Sequence, residues 1–168
     1  MIVALYLGAF GLSALLCFGA AVRARRIRAS SVRCGLIALL LTSGVWAAAD
    51  LGLVLARHAT VARWAHLVGL ISGFSTIWAW LYFCSAYAQR SLHRSRPVQV
   101  GAAVVFLFVT GLKVTNPVHG LYFHLRPAQV PFVHWAVEPG LLYWMVNALA
   151  YALAAGGYAL ILPAVRNT

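Results

Sequence analysis

The chain has 168 residues, 63% of them hydrophobic and only 9% charged, with a formal net charge of +11. A soluble domain of this size cannot hide so much apolar surface in one core, so the composition excludes an ordinary water-soluble enzyme and indicates a membrane protein. The positive charge is not a nucleic-acid signature, because the arginines are gathered in short connections between apolar runs and no nucleic-acid-binding motif accompanies them.

Crossing the hydrocarbon layer takes about 20 apolar residues in a helix. Runs of that kind recur near residues 2–22, 35–56, 64–88, 98–115 and 140–164. They predict an all-α fold: a polytopic bundle of five transmembrane helices forming a single domain over residues 1–168. The first run is expected to stay as a helix and not be cleaved as a signal peptide, since its basic cluster follows the apolar stretch. Arg23, Arg25, Arg26, Arg28, Arg33, Arg90, Arg94, Arg96 and Arg166 fall on one side of the bundle, and Arg57, Arg63, Lys113 and Arg126 on the other. Lys and Arg in short loops mark the cytoplasmic face, so a plasma-membrane protein with its N-terminus outside and its C-terminus in the cytoplasm is expected. Cys17, Cys34 and Cys84 fall near the cytoplasmic halves of their runs and lack the paired spacing of a redox or zinc site, which predicts no disulfide.

Most connections are short and force neighbouring helices to run antiparallel. The one over residues 116–139 is longer and aromatic, with Tyr122, Phe123, Phe132 and Trp135. Segments 121–125 and 130–137 around a turn at 126–129 predict a hairpin or flap over the outer mouth, with Phe132 and Trp135 packed back on the helix ends. An interfacial aromatic belt is the alternative. In the third run Gly69 and Gly73 form a small-xxx-small pair for close helix approach, and Gly156 and Gly157 are expected to serve packing in the fifth.

Asp50 and Glu138 are the only acidic residues. A carboxylate within a span costs about 2.5–3.5 kcal/mol on the insertion scale, so Asp50 is expected to face the bundle interior and to find a partner. Lys113, about one turn from the outer end of the fourth run, could reach down toward it, and Asn147 lies at comparable depth, which makes an Asp50–Lys113 ion pair and a polar cluster with Asn147 an expectation. Its alternative is a satisfied interhelical network without a ligand. Tyr143, Asn147 and Tyr151 form one stripe, and Ser72, Thr76 and Trp80 another, which describes either a pocket wall or hydroxyls bonded one turn back along their own helix. His119, His124, His134 and Glu138 have only generic spacing, so no metal or haem is expected, and no cofactor of another kind is indicated. No nucleophile elbow or phosphoryl-transfer motif is present, so the chain is not expected to catalyse a reaction by itself.

Four elements together carry a family resemblance: Gly44-Val-Trp46 with Asp50; Trp80-Leu-Tyr-Phe-Cys-Ser-Ala-Tyr87; Thr115-Asn-Pro-Val-His-Gly-Leu-Tyr122; and Val137-Glu-Pro-Gly-Leu-Leu-Tyr-Trp144. The sequence resembles the N-terminal seven-helix membrane region of sensor histidine kinases from bacteria and haloarchaea. That resemblance implies a membrane sensory or receptor module of a two-component system, which detects an external or membrane-borne signal and relays it to cytoplasmic signalling domains in cis or to a partner kinase. It carries over Trp46, Asp50, Asn116, His119, Glu138 and Tyr143 as family-type positions. The family often has Glu where Asp50 stands. Thr76, Trp80, Trp135 and Asn147 complete the candidate sensing residues read from the sequence. Expected partners are the lipid membrane, an unidentified small-molecule ligand and a second copy of the chain, with no nucleic acid. Five spans where the family has seven imply either a fragment or a shortened stand-alone protein. A small transporter or channel subunit with a polar site around Asp50 is the alternative function, weakened by the apolar inner halves of the first, second and fourth runs. A redox or metal membrane enzyme using the loop histidines is a third class.

Overall fold

The structure, a computed structural model, describes residues 2–28, 30–129 and 133–166. Its helices are α1 (Ile2–Ala24), α2 (Ser30–Leu55), α3 (Ala59–Tyr87), α4 (Arg96–Val114), the single turn α5 (Asn116–His119) and α6 (Leu141–Arg166), with a 3-10 turn at Ser91–Arg94. Five of these are long and apolar enough to cross a membrane. The all-α, five-span expectation is therefore borne out. Helices α2 and α3 begin about five residues before the apolar runs that announced them, because backbone hydrogen bonding does not stop where the side chains turn polar. Pro97 lies in the first turn of α4, where a missing N–H costs nothing.

α3 is the central helix: it packs against α2, α4 and α6, while α1 packs on α2. Gly69 and Gly73 make the α2–α3 approach possible. A Cβ on Gly73 would sit 3.4 Å from the Trp46 indole, and one on Gly69 would sit 3.3 Å from Asp50 Oδ1. On α6 the two glycines differ, which corrects the expectation for one of them. A Cβ on Gly157 would strike the Trp80 indole, whereas one on Gly156 would meet open space. Gly157 is thus a contact with α3, and Gly156 faces away from the rest of the chain.

Between α4 and α6 lies a two-stranded antiparallel hairpin, β1 (Phe123–Pro127) and β2 (Trp135–Pro139), in the register Phe123↔Pro139 through Pro127↔Trp135. The hairpin was expected, but the turn is displaced: Arg126 and Pro127 belong to β1, and the Ala128 N–H still bonds the His134 carbonyl at 3.0 Å. Cross-strand pairing continues past the Pro because a strand at the edge of a two-stranded sheet can spare that N–H. Val130 and Phe132 lie outside the described residues. The buried core is built where the hairpin meets the bundle, from Phe74, Val109, Tyr122, Phe123 and Val146, with Leu125 and Val137 packed on it. Trp135 is half-buried.

Candidate functional site: a cavity roofed by the hairpin

The hairpin is fixed to the bundle at its base by local chemistry. Asn116 is buried, and its Oδ1 accepts from the amides of Tyr122 at 2.8 Å and Phe123 at 3.2 Å while its Nδ2 donates to the Phe123 carbonyl at 2.8 Å. Gly120 makes the bend with φ +64°, a conformation other residues resist. His119 completes the turn. Its Nδ1 accepts from the Leu121 amide at 3.0 Å, which puts the ring proton on Nε2, facing the Leu112 carbonyl at 3.2 Å and the Thr115 hydroxyl at 3.3 Å. Both Asn116 and His119 are therefore occupied in shaping the loop.

The second seam joins the hairpin to α6. The Gly140 amide donates to the Tyr122 carbonyl at 2.9 Å, and the Leu142 amide to the Leu121 carbonyl at 3.1 Å. A Cβ on Gly140 would run into the Leu121 carbonyl, so this backbone approach needs glycine. The loop bonds and this seam place Phe123 edge-on against His66 of α3, ring centroids 4.6 Å apart, and Tyr122 edge-on against Tyr143 of α6 at 6.0 Å. Burial, reinforced by Tyr143, raises the Tyr122 phenol above its ordinary value, so it stays protonated and able to donate.

Beneath this roof is a cavity of about 310 Å³. Asp50 and Trp46 of α2, His66 and Gly73 of α3, Lys113 of α4, and Tyr143, Asn147 and Tyr151 of α6 contribute to its wall. The α6 stripe read from the sequence does line it. The α3 stripe does not: the hydroxyls of Ser72 and Thr76 donate to the carbonyls of Val68 at 2.7 Å and Ser72 at 2.9 Å, and the Trp80 Nε1–H donates to the Ala154 carbonyl of α6 at 3.2 Å. Thr76 and Trp80 are packing residues, and the neighbouring stripe His66, Leu70, Gly73 and Ile77 faces the cavity in their place. Nothing in an apolar helix marks which of two adjacent stripes turns inward.

The expected Asp50–Lys113 ion pair is not formed. Lys113 is buried, donates to the Leu70 carbonyl at 2.7 Å, and sits between the faces of Phe74, 4.8 Å from its centroid, and Tyr122 at 5.6 Å. The aromatic faces and the carbonyl stabilise the ammonium locally, which removes its need to reach across the cavity. Asp50 consequently has no hydrogen-bond or ion-pair partner among the described residues, and neither has the Tyr143 hydroxyl. Asn147 spends its amide on the Tyr143 carbonyl at 2.9 Å. His66, missed as a site residue from sequence, has a buried Nε2 without a hydrogen-bond partner among the described residues. The sequence offered no more than a lone histidine at the head of an otherwise apolar stripe through Leu70 and Gly73, which does not show that the stripe turns inward.

Glu138 lies outside this site. It pairs with Arg126 on the exposed face of the hairpin at 2.9 Å. Trp135 likewise belongs to the hairpin. Among the described residues no three His, Cys, Asp or Glu side chains gather where they could hold a metal ion.

Five helices long and apolar enough to span, four of which (α2, α3, α4 and α6) wall a cavity that carries Asp50, His66 and Lys113, define a multi-pass helical membrane region. The chain belongs to the family described as the N-terminal 7TM region of histidine kinase, which matches residues 7–168. It is accordingly a membrane sensory module of histidine kinases, and that family is a non-catalytic domain family. No curated protein and no solved structure matches the chain significantly.

Proposed function

We propose that the roofed cavity is where this sensory module receives its signal, a small polar molecule entering from outside the cell, with the N-terminus outside and the C-terminus in the cytoplasm. The observation that carries this reading is the set of unspent polar groups on its wall: among the described residues the Asp50 carboxylate, the Tyr143 hydroxyl and the buried His66 Nε2 have no hydrogen-bond partner, and the buried Lys113 ammonium uses one donor on a carbonyl. A buried polar atom such as His66 Nε2 is normally satisfied, and leaving it bare costs about 1–3 kcal/mol, so an occupant that bonds it would gain that energy on binding. Relay follows from the packing. α3 and α6 both line the cavity and touch one another again through Trp80 and Gly157 toward the arginine-rich end, so an occupant that parts their cavity ends shifts the far ends as well.

The test is a fusion of this region to a reporter kinase core, screened against small polar molecules. A compound that changes autophosphorylation in the parent fusion should lose its effect by roughly tenfold or more in concentration when Asp50→Asn removes the charge. An unchanged dose response in Asp50→Asn, with the variant still folded, would refute the assignment.

A further inference from the structure

A second cavity, of about 400 Å³, lies at the opposite, arginine-rich end between α3, the 3-10 turn, α4 and the end of α6. Its wall is largely apolar, with Leu81, Ala102, Phe106 and Leu160. Two other lining residues, Trp78 and His93, each carry a buried ring nitrogen, Nε1 and Nε2 respectively, with no hydrogen-bond partner among the described residues. The His93 ring is held in place. Ser85, itself buried, lies 3.2 Å from its Nδ1 and accepts from its backbone amide at 3.1 Å, Gln99 Nε2 donates to its carbonyl at 2.8 Å, and Tyr82 packs edge-on at 5.2 Å.

No acidic side chain lines this cavity to answer the charges around it. Arg90, Arg94 and Arg96 flank the cavity-lining Leu92 and His93 in sequence and are exposed. The chain's two acidic residues are Asp50, on the roofed cavity, and Glu138, already paired to Arg126 on the hairpin. An occupant with an apolar tail, hydrogen-bond acceptors next to it and a negative head would match the wall, the orphan nitrogens and the arginines in turn. We propose that this cavity seats one acyl chain of an anionic phospholipid, with its ester and phosphate oxygens toward His93 and its phosphate against Arg90, Arg94 and Arg96. The lipid would then bridge α3, α4 and α6, the helices that also line the roofed cavity, so its binding bears on the same packing.

The experiment uses the full chain in detergent with phosphatidylglycerol or phosphatidylcholine added, read by native mass spectrometry. One phosphatidylglycerol should be retained on the order of tenfold more tightly than phosphatidylcholine, since each arginine near a membrane surface favours an anionic lipid severalfold. The exposed triple variant Arg90→Gln/Arg94→Gln/Arg96→Gln should erase that preference, and Ala102→Trp, which fills the apolar seat and spares the arginines, should remove the retained lipid. Equal retention of both lipids by the parent chain would overturn the proposal. So would a folded Ala102→Trp variant that keeps its tightly held phosphatidylglycerol, because the arginines would then bind lipid without the cavity. If Ala102→Trp does not fold, loss of the preference in the triple variant supports the proposal, and its persistence there overturns it.

Discussion

Replacing Asn116 with Ala tests whether the hairpin is held as its geometry implies. The substitution deletes three hydrogen bonds, two received from the Tyr122 and Phe123 amides and one given to the Phe123 carbonyl, all at a buried residue. At about 1 kcal/mol net for each bond, and more where a buried group is left bare, the loss should be about 3–5 kcal/mol. The effect should be local as well as global, because Tyr122 and Phe123 are core residues and would lose their anchor together. Thermal unfolding in detergent gives the stability change, and backbone hydrogen exchange over residues 121–125 gives its location. Val118→Ala, two residues away but 89% exposed, is the control and should be near neutral. If Asn116→Ala lowers stability no more than Val118→Ala, or if exchange near residue 122 is unaltered, the hairpin is held by something other than this side chain.

Three further outcomes are expected. Gly157→Ala should cost about 1–3 kcal/mol by driving a Cβ into the Trp80 indole, whereas Gly156→Ala, facing open space, should be neutral or slightly stabilising; equal effects in unfolding experiments would contradict the α3–α6 contact. Lys113→Met keeps the length and removes a buried charge, so it should leave stability unchanged or raise it by up to about 2 kcal/mol while abolishing the response of a reporter fusion; a large loss of stability would show that the ammonium is needed structurally. For topology, in a background without Cys17, Cys34 and Cys84, an impermeant thiol reagent applied to intact cells should label Ala128→Cys and leave Arg28→Cys and Arg94→Cys unlabelled; the reverse pattern would invert the assigned orientation.

The sequence determined by itself what depends on local or one-dimensional information. Spanning helices are set by runs of apolar residues and by backbone bonds made within each segment, and all five were legible from hydropathy alone. The hairpin followed from strand-like segments on either side of a turn, although its first strand runs on through Arg126 and Pro127, which were read as turn. Tyr143, Asn147 and Tyr151 could be placed on one stripe because helical spacing fixes that without a partner. Only the tertiary structure decided which stripes meet. In a soluble helix the polar face marks the outside, but lipid is as apolar as the interior, so the wall formed by His66, Leu70, Gly73 and Ile77 is no more conspicuous in the sequence than the Ser72–Thr76–Trp80 stripe beside it. For the same reason Gly156 and Gly157 look alike until Trp80 is packed against one of them. Lys113 was drawn toward Asp50 by charge, yet the fold supplied Phe74, Tyr122 and a free carbonyl lone pair closer at hand, and a buried ammonium settles on the nearest groups that stabilise it.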